Sequence, residues 1–157
     1  MHDYLLLKTV HILSSTLLFG TGLGTAFHGW MANRSGVLAA RRVVNRNVVL
    51  ADWLFTTPAV IVQPVTGVWL ANLAGYPLTT PWLMAAIVLY ILVGACWLPV
   101  VAIQIRMRRI AEATPDGADL PRHYHRLGRW WFVLGWPAFI GVIIIFWLMV
   151  AKPELAL

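Results

Sequence analysis

Long apolar runs separated by polar loops dominate the pattern of this chain. The runs cover Tyr4–Ala32, Val48–Leu73, Trp82–Ile105 and Trp130–Ala151. A helix needs about 20 apolar residues to cross the hydrocarbon core of a bilayer, and each run reaches that length. No run alternates with the period of two that a membrane barrel requires. The pattern therefore predicts an all-α membrane protein, a four-transmembrane-helix bundle in a single domain over 1–157.

Composition supports a lipid environment. Of the residues, 60% are hydrophobic and only 11% are charged. A soluble domain of 157 residues could not hide that much apolar surface. The net charge of +6 lies in loops beside the apolar runs, where it attracts anionic headgroups. We therefore expect the lipid bilayer, and no nucleic acid, as the partner of this surface.

Arginines predict the orientation. Four lie in the first loop, six lie between the third and fourth runs, and the loop over residues 74–81 has no charge. Because Lys and Arg concentrate on the cytoplasmic side, the first and third loops are predicted to be cytoplasmic, with both termini outside. The start Met1-His2-Asp3 lacks the basic region of a cleaved signal. These features indicate a multi-pass protein of the bacterial inner (cytoplasmic) membrane.

Small residues and tryptophans predict where helices meet each other and the interface. Gly20 and Gly24 form a small-xxx-small pair, which predicts a close helix approach. Trp130 and Trp131 begin the last run and are typical of the interfacial aromatic belt. Four prolines fall inside the runs, and each frees a backbone carbonyl. These are Pro58, Pro64, Pro99 and Pro137.

His11 is the sharpest functional candidate, since ionisable groups inside a membrane are expensive and commonly functional. It lies about 10 Å along the helix from Tyr4, at roughly 1.5 Å per residue. Lys8 shares its face, and Ser15 could hydrogen-bond the imidazole. Gln63 lies at similar depth on the second helix and could bond His11 or hold a quinone carbonyl. The alternative is a histidine that is simply hydrogen-bonded to a neighbouring helix.

A second group of ionisable residues is predicted at the opposite boundary. His28 lies about 25 Å along the helix from His11, so both cannot ligate one metal within one chain. We expect His28, Asp52 and Arg106 to lie at one depth and to form a cluster that stabilises the bundle. The chain has a single cysteine, Cys96, and no zinc-type spacing of Cys and His. Nucleotide-binding glycine loops are also missing from the sequence.

Several short motifs resemble a known family. The segment 7–11, Leu-Lys-Thr-Val-His, resembles the Lys-x-x-His opening of HemJ-type protoporphyrinogen oxidases. Residues 56–59 and 67–70 resemble their second helix, and residues 125–130 with Lys152-Pro153 resemble the ends of their last helix. More closely, the chain is identified as a member of a family of bacterial integral membrane proteins of unknown function, distantly similar to HemJ and to CopD-like proteins.

The resemblance implies a haem site at His11. In HemJ-type proteins the matching histidine is implicated in binding haem b, so His11 would be the ligand of the haem iron. The lysine that those proteins carry after the first tryptophan of helix three is absent from residues 82–87. This departure implies a different second ligand, such as Met84, or an open position.

Together these observations predict a haem b-binding membrane protein with a redox or electron-transfer role. Electrons would pass to a quinone or to a redox partner protein, and a HemJ-like oxidoreductase activity is an open question because key residues are missing. Only helix one carries intramembrane histidines, so bis-histidine ligation would need a homodimer. The alternative is a cofactor-free membrane subunit or a CopD-like protein related to metal transport, although the methionines are scattered.

Overall fold

Four long helices cross the molecule in a computed structural model that describes residues 2–154. Each is long and apolar enough to cross a membrane, which confirms the predicted all-α fold. The second long helix is continuous but contains one π-helical turn. The elements are α1 (His2–Ser35), α2 (Leu38–Ala51), the π-helical turn (Asp52–Thr56), α3 (Thr57–Leu73), α4 (Pro81–Ala113) and α5 (Arg122–Ala151).

The helices extend further than the predicted spans. The second long helix begins at Leu38 instead of Val48, and α5 begins at Arg122 instead of Trp130. Hydropathy detects the part of a helix that matches the hydrocarbon, whereas helical hydrogen bonding continues into the polar region. As a result, the segments before Val48 and Trp130 are helical although they carry arginines.

A tight turn joins α3 to α4. Gly75 has a positive φ of 73°, which a residue with a side chain adopts only at a cost. The Tyr76 N–H donates to the Ala71 carbonyl at 2.9 Å, and the Gly75 N–H donates to the Asn72 carbonyl at 3.2 Å. These two bonds form a Schellman motif, which satisfies the last carbonyls of α3.

Close helix contacts occur at glycines other than the predicted pair. A Cβ at Gly141 on α5 would lie 2.5 Å from Val93 Cγ2 on α4, so these helices pack tightly there. No atom lies within 4 Å of a Cβ built at Gly20 or Gly24. The predicted close approach at that pair is therefore wrong. Sequence shows that a glycine permits contact, but it does not show which face meets a neighbour.

Two apolar cores lie at opposite ends of the bundle. One includes Ala71, Trp82 and Leu148 beside the loop 74–80, which we call the second-loop end. The other includes Met107 and Tyr124 beside the segments that carry all ten arginines, residues 33–47 and 106–129, which we call the arginine-rich end. The region between these cores is not fully packed, and it contains the main cavity.

Candidate functional site

The π-helical turn at Asp52–Thr56 shapes the centre of the bundle. The Thr57 N–H donates to the Asp52 carbonyl, one residue further back than in an α-helix. Pro58 follows directly, and in a regular helix its ring would clash with the carbonyl of Leu54. The wider turn relieves that clash. Single π turns inside α-helices are frequent at functional sites.

Asp52 is the buried carboxyl of this turn. It is only 4% exposed, and Thr56 Oγ1 donates to its Oδ1 at 2.9 Å. The other oxygen, Oδ2, has no hydrogen-bond partner. Gln104 faces the same carboxyl from α4, and its own Oε1 is buried and unpartnered. Burying polar atoms without partners is costly, so each of these atoms requires an explanation.

A cavity of about 280 Å³ opens beside Asp52. Glycines from three helices line it, namely Gly22, Gly94 and Gly135. No atom lies within 4 Å of a Cβ built at any of the three, so their missing side chains leave the space open. Most of the remaining wall is apolar. Its aromatic residues are Phe19, Tyr90, Trp97, Trp131, Phe132, Trp136 and Phe139.

Trp131 completes the polar end of the cavity. A Cβ at Gly29 on α1 would lie 3.1 Å from Trp131 Cη2, so this glycine allows the indole to reach across to α1. The indole Nε1 is buried and has no acceptor. Three unpartnered atoms therefore lie on residues of one cavity wall, namely Asp52 Oδ2, Gln104 Oε1 and Trp131 Nε1.

The cavity lining carries no cation. Among the described residues that line it, Asp52 and Tyr90 are the titratable ones. The Tyr90 hydroxyl donates to the Val60 carbonyl at 2.6 Å. Pro64 frees that carbonyl, since a proline four residues later has no N–H to offer it. This bond links α4 to α3, and the lining as a whole does not favour an anionic ligand.

His11 lies outside the cavity lining, in a separate polar network between α1 and α3. Its Nδ1 lies 2.8 Å from Thr66 Oγ1. The Thr66 hydroxyl donates to the Val62 carbonyl at 2.7 Å, so Nδ1 of the imidazole is the donor to Thr66. Gly67 leaves room for the ring, because a Cβ there would lie 3.2 Å from His11 Cε1.

The other ring nitrogen of His11 also has a partner. Gln63 Nε2 lies 3.4 Å from His11 Nε2. Ser14 donates to Gln63 Oε1, and it also lies 3.0 Å from the His11 carbonyl. With the proton on Nδ1, every donor in this chain of bonds finds an acceptor. The network therefore describes a neutral histidine that is held by two helices.

The remaining candidates near His11 point elsewhere. Lys8 is exposed, and its Nζ lies 5.9 Å from the centre of the Tyr4 ring. The Ser15 hydroxyl donates to the Ile12 carbonyl of its own helix at 2.7 Å instead of to His11. The expected role of Ser15 as a partner of His11 is therefore wrong, and Ser14 bonds Gln63 in this network. Met84 is 40% exposed on α4.

The predicted cluster of His28, Asp52 and Arg106 does not form. His28 and Arg106 are exposed, whereas Asp52 is buried. Within residues 2–154, the recorded ion pairs join Arg42 to Asp116 and Arg108 to Glu112, and none includes Asp52. Helix rise estimates depth along a helix, but it does not give the direction in which a side chain faces. Arg106 lies two positions after Gln104, which turns Arg106 to another face of α4.

Haem b binding at His11 stays a prediction, and the surroundings of the ring favour a structural role. The neutral imidazole with a fixed tautomer is suitable for an axial ligand, but its Nε2 faces the Gln63 amide. The cavity lining contains no His, Cys, Met or Lys to bind iron. Within the described part of the chain, no group of three or more His, Cys, Asp or Glu residues could hold a metal ion.

Two residues of the cavity's polar end were missed in the sequence. Gln104 is the amide in an apolar stretch just before Arg106, and this isolated polar position was the available signal. Trp131 was assigned to the interfacial belt, but it is half-buried and lines the cavity. An aromatic residue at a span boundary can face lipid or the bundle, and composition does not distinguish these cases.

Comparison with known proteins places the chain in a family but not in a functional class. No curated protein and no solved structure matches it. The resemblance to HemJ-type and CopD-like proteins stays a prediction. The model of the family described as "Predicted integral membrane protein (DUF2269)" matches residues 5–153. That match covers nearly all of the chain, so this protein belongs to that family of integral membrane proteins and has the lipid bilayer as its environment.

Proposed function

We propose that this protein binds a lipid-soluble carrier of the quinone class in the cavity and has a redox role in the bacterial cytoplasmic membrane. One observation supports this most directly. Asp52 Oδ2, Gln104 Oε1 and Trp131 Nε1 are buried and unpartnered on residues that line an otherwise apolar, aromatic cavity. Apolar pockets with a few convergent polar groups are the usual form of a small-molecule site.

The wall chemistry matches a quinone head group. A planar ring can stack on aromatic side chains such as Trp97, Trp136 and Phe139. Its carbonyl oxygens need donors, and the Trp131 indole N–H and a protonated Asp52 carboxyl can supply them. An isoprenoid tail would extend from the open side of the cavity into lipid. Anionic lipids are disfavoured because the lining has no cation.

Asp52 has a chemical role in this proposal. Reduction of a quinone to a quinol takes two electrons and two protons, and we assign the electrons to a partner redox protein. Asp52 would donate a proton to a quinone oxygen as the electrons arrive, and it would then be reprotonated for the second transfer. An isolated carboxylate among apolar groups is unfavourable, which favours its return to the acid form.

Filling the cavity tests the proposal. We would measure binding of a short-chain quinone to purified protein in detergent by quenching of tryptophan fluorescence. Gly94→Leu places a side chain in the cavity from a position where a Cβ would have no atom within 4 Å, and we expect at least a tenfold loss of affinity. Gly20→Leu is the matched control, since Gly20 also has open space around it but does not line the cavity. Equal binding by both variants would overturn the proposal.

The rival proposal is haem b on His11, with the same redox role and, for bis-histidine ligation, a homodimer. It predicts a Soret band in purified protein that disappears in His11→Ala and persists in Gly94→Leu. The cavity proposal predicts that quinone binding survives in His11→Ala, because His11 does not line the cavity. Protein that binds neither ligand would favour a cofactor-free membrane subunit or a CopD-like protein related to metal transport.

A further inference from the structure

A second, smaller pocket adjoins the cavity on the side of the arginine-rich end. Its volume is about 10 Å³, and it shares Gln104 and Trp131 with the main cavity. We propose that this pocket is a water site and that it connects the arginine-rich end of the protein to Asp52. The inference rests on the proposed function, in which Asp52 donates protons and must recover them.

The pocket has the size and the polar groups that one water molecule needs. A volume on the order of 10–15 Å³ holds a single water, which requires 2–4 polar partners. Asn33, Asn45, Gln104 and Trp131 all line the pocket. A water there can accept from the Asn33 amide, and it can donate to the oxygens of Gln104 and Asn45. It would satisfy Gln104 Oε1, which has no protein partner, and it would leave the Trp131 indole N–H to the ligand in the main cavity.

A chain of hydrogen bonds continues from this pocket toward the arginine-rich end. The Asn45 amide donates to the Tyr124 hydroxyl at 2.9 Å, and that hydroxyl donates to Asn33 Oδ1 at 3.0 Å. Arg41 Nη2 donates to the Asn33 carbonyl at 2.8 Å, and Arg41 is partly exposed. Polar groups from α1, α2 and α5 therefore extend from the surface to the pocket.

On the opposite side of the cavity, Tyr90 is the titratable residue of the described lining. There Tyr90 donates to the Val60 carbonyl, and further along lies the apolar core of the second-loop end, which includes Trp82 and Leu83. Proton exchange with Asp52 is therefore expected from the arginine-rich end. It would pass through water at the Gln104–Trp131 boundary, since an amide side chain does not itself carry protons.

Few other titratable groups face Asp52. Among the described residues, α1 and α5 contribute none to the cavity lining, α4 contributes Tyr90, and the second long helix contributes only Asp52 itself. His28 and Arg106 are exposed and outside the lining. No second acid of the described lining therefore contributes to an infrared carboxyl band that is assigned to Asp52.

Infrared difference spectroscopy during transfer to D2O tests the water site without any quinone. The C=O band of the protonated Asp52 carboxyl shifts on deuteration, and its assignment is checked by its loss in Asp52→Asn. We expect Asn45→Leu to slow this exchange at least tenfold. The apolar side chain has neither the oxygen that accepts from the water nor the amide that donates to the Tyr124 hydroxyl. Asn33→Leu should act in the same direction. Asn72→Leu is the matched control, since Asn72 is exposed near the second-loop end.

The outcomes separate this inference from the proposed function. Equal exchange in the wild type, Asn45→Leu and Asn33→Leu would overturn the water path even if quinone binds. Slowed exchange in protein that binds no quinone would support the path and count against the proposed ligand. If no infrared band of a protonated carboxyl is lost in Asp52→Asn at any pH, the proton-carrying role is overturned. Asn45→Ser, which keeps a polar group and opens space, should exchange at close to the wild-type rate.

Discussion

The bundle contains two polar regions that differ in how completely their hydrogen bonds are made. Around His11, the side chains of Ser14, Gln63 and Thr66 each find a partner. Around Asp52, three buried polar atoms on Asp52, Gln104 and Trp131 have none. Both regions lie between membrane-spanning helices.

This difference distinguishes a structural contact from a binding site. A closed network contributes to helix association and leaves no group free for a ligand. An open set of polar atoms beside a cavity has unmet hydrogen-bonding capacity, which costs stability until a ligand or water meets it. The histidine that stands out most in the sequence therefore belongs to the structural region. The candidate binding site is built around an aspartate, an amide and an indole.

The largest effect on stability is expected in the closed network. His11→Leu removes both ring contacts, so Thr66 Oγ1 loses its donor and Gln63 Nε2 loses its acceptor, and the free energy of unfolding should fall by about 1–2 kcal/mol. Equilibrium unfolding in mixed detergent measures the change. Ser15→Ala is the control and should change it by less than about 0.5 kcal/mol. The hydroxyl of Ser15 bonds only within its own helix.

A double variant sharpens the same comparison. If His11 and Gln63 act as a unit, combining His11→Leu with Gln63→Leu should cost less than the sum of the single changes. Strict additivity would show that the contact at 3.4 Å between their nitrogens contributes nothing, and the network would no longer be a closed unit.

Asp52→Asn should separate stability from binding. The amide oxygen can still accept from Thr56, and the substitution removes a carboxyl that has no neighbouring cation. The free energy of unfolding should therefore change by less than about 1 kcal/mol. Quinone affinity should fall about tenfold, equivalent to about 1.4 kcal/mol, because the acid proton is lost. Fluorescence titration measures the affinity. A large loss of stability with unchanged affinity would reverse the roles assigned to the two regions.

Trp131→Phe should have a smaller effect. Phenylalanine keeps the ring beside Gly29 but removes the unpartnered N–H, which is worth about 1 kcal/mol to a ligand carbonyl, or roughly a fivefold loss of affinity. Trp136→Phe is the matched control, since Trp136 also lines the cavity and its indole nitrogen is not among the buried unpartnered atoms. Equal losses in both variants would indicate that ring area alone determines affinity.

Orientation decides which side of the membrane each region approaches, and its test should leave stability unchanged. Cysteine placed at the exposed position Asp116 should be protected from impermeant reagents in intact cells, and cysteine at Gly75 should react. The reason is the concentration of arginines in the loops of the arginine-rich end. Labelling of Asp116→Cys from outside would reverse the orientation and the side from which Asp52 receives protons.

Depth could be predicted from the sequence, whereas facing direction could not. Helix rise placed Gln63 at the level of His11, and the structure brings the two together. The same reasoning paired Ser15 with His11 and Arg106 with Asp52, but Ser15 bonds within its own helix and Arg106 is exposed. The π-helical turn at Asp52–Thr56 adds to this problem, because it shifts the helical phase of every later residue on α3. No hydropathy pattern reports such a turn.

The cavity was also beyond sequence reasoning for a physical reason. Gly22, Gly94 and Gly135 come from three helices and are far apart in the chain. In the sequence, each of these glycines looks like a site of close helix packing. Gly141 is such a site in the structure. Whether a glycine meets a neighbour or borders open space depends on how the helices are rotated against each other, which a single sequence does not specify.

The position of a bound quinone is the most direct test of the central claim, that the open region and not the histidine network is the binding site. A photoreactive short-chain quinone would be crosslinked to the full protein in lipid vesicles, and the labelled residues would be mapped by mass spectrometry. We predict labels on cavity residues such as Trp97, Gln104 and Trp131, which are lost when unlabelled quinone is added in excess. Labels concentrated at His11 and Gln63, with none in the cavity, would contradict the account.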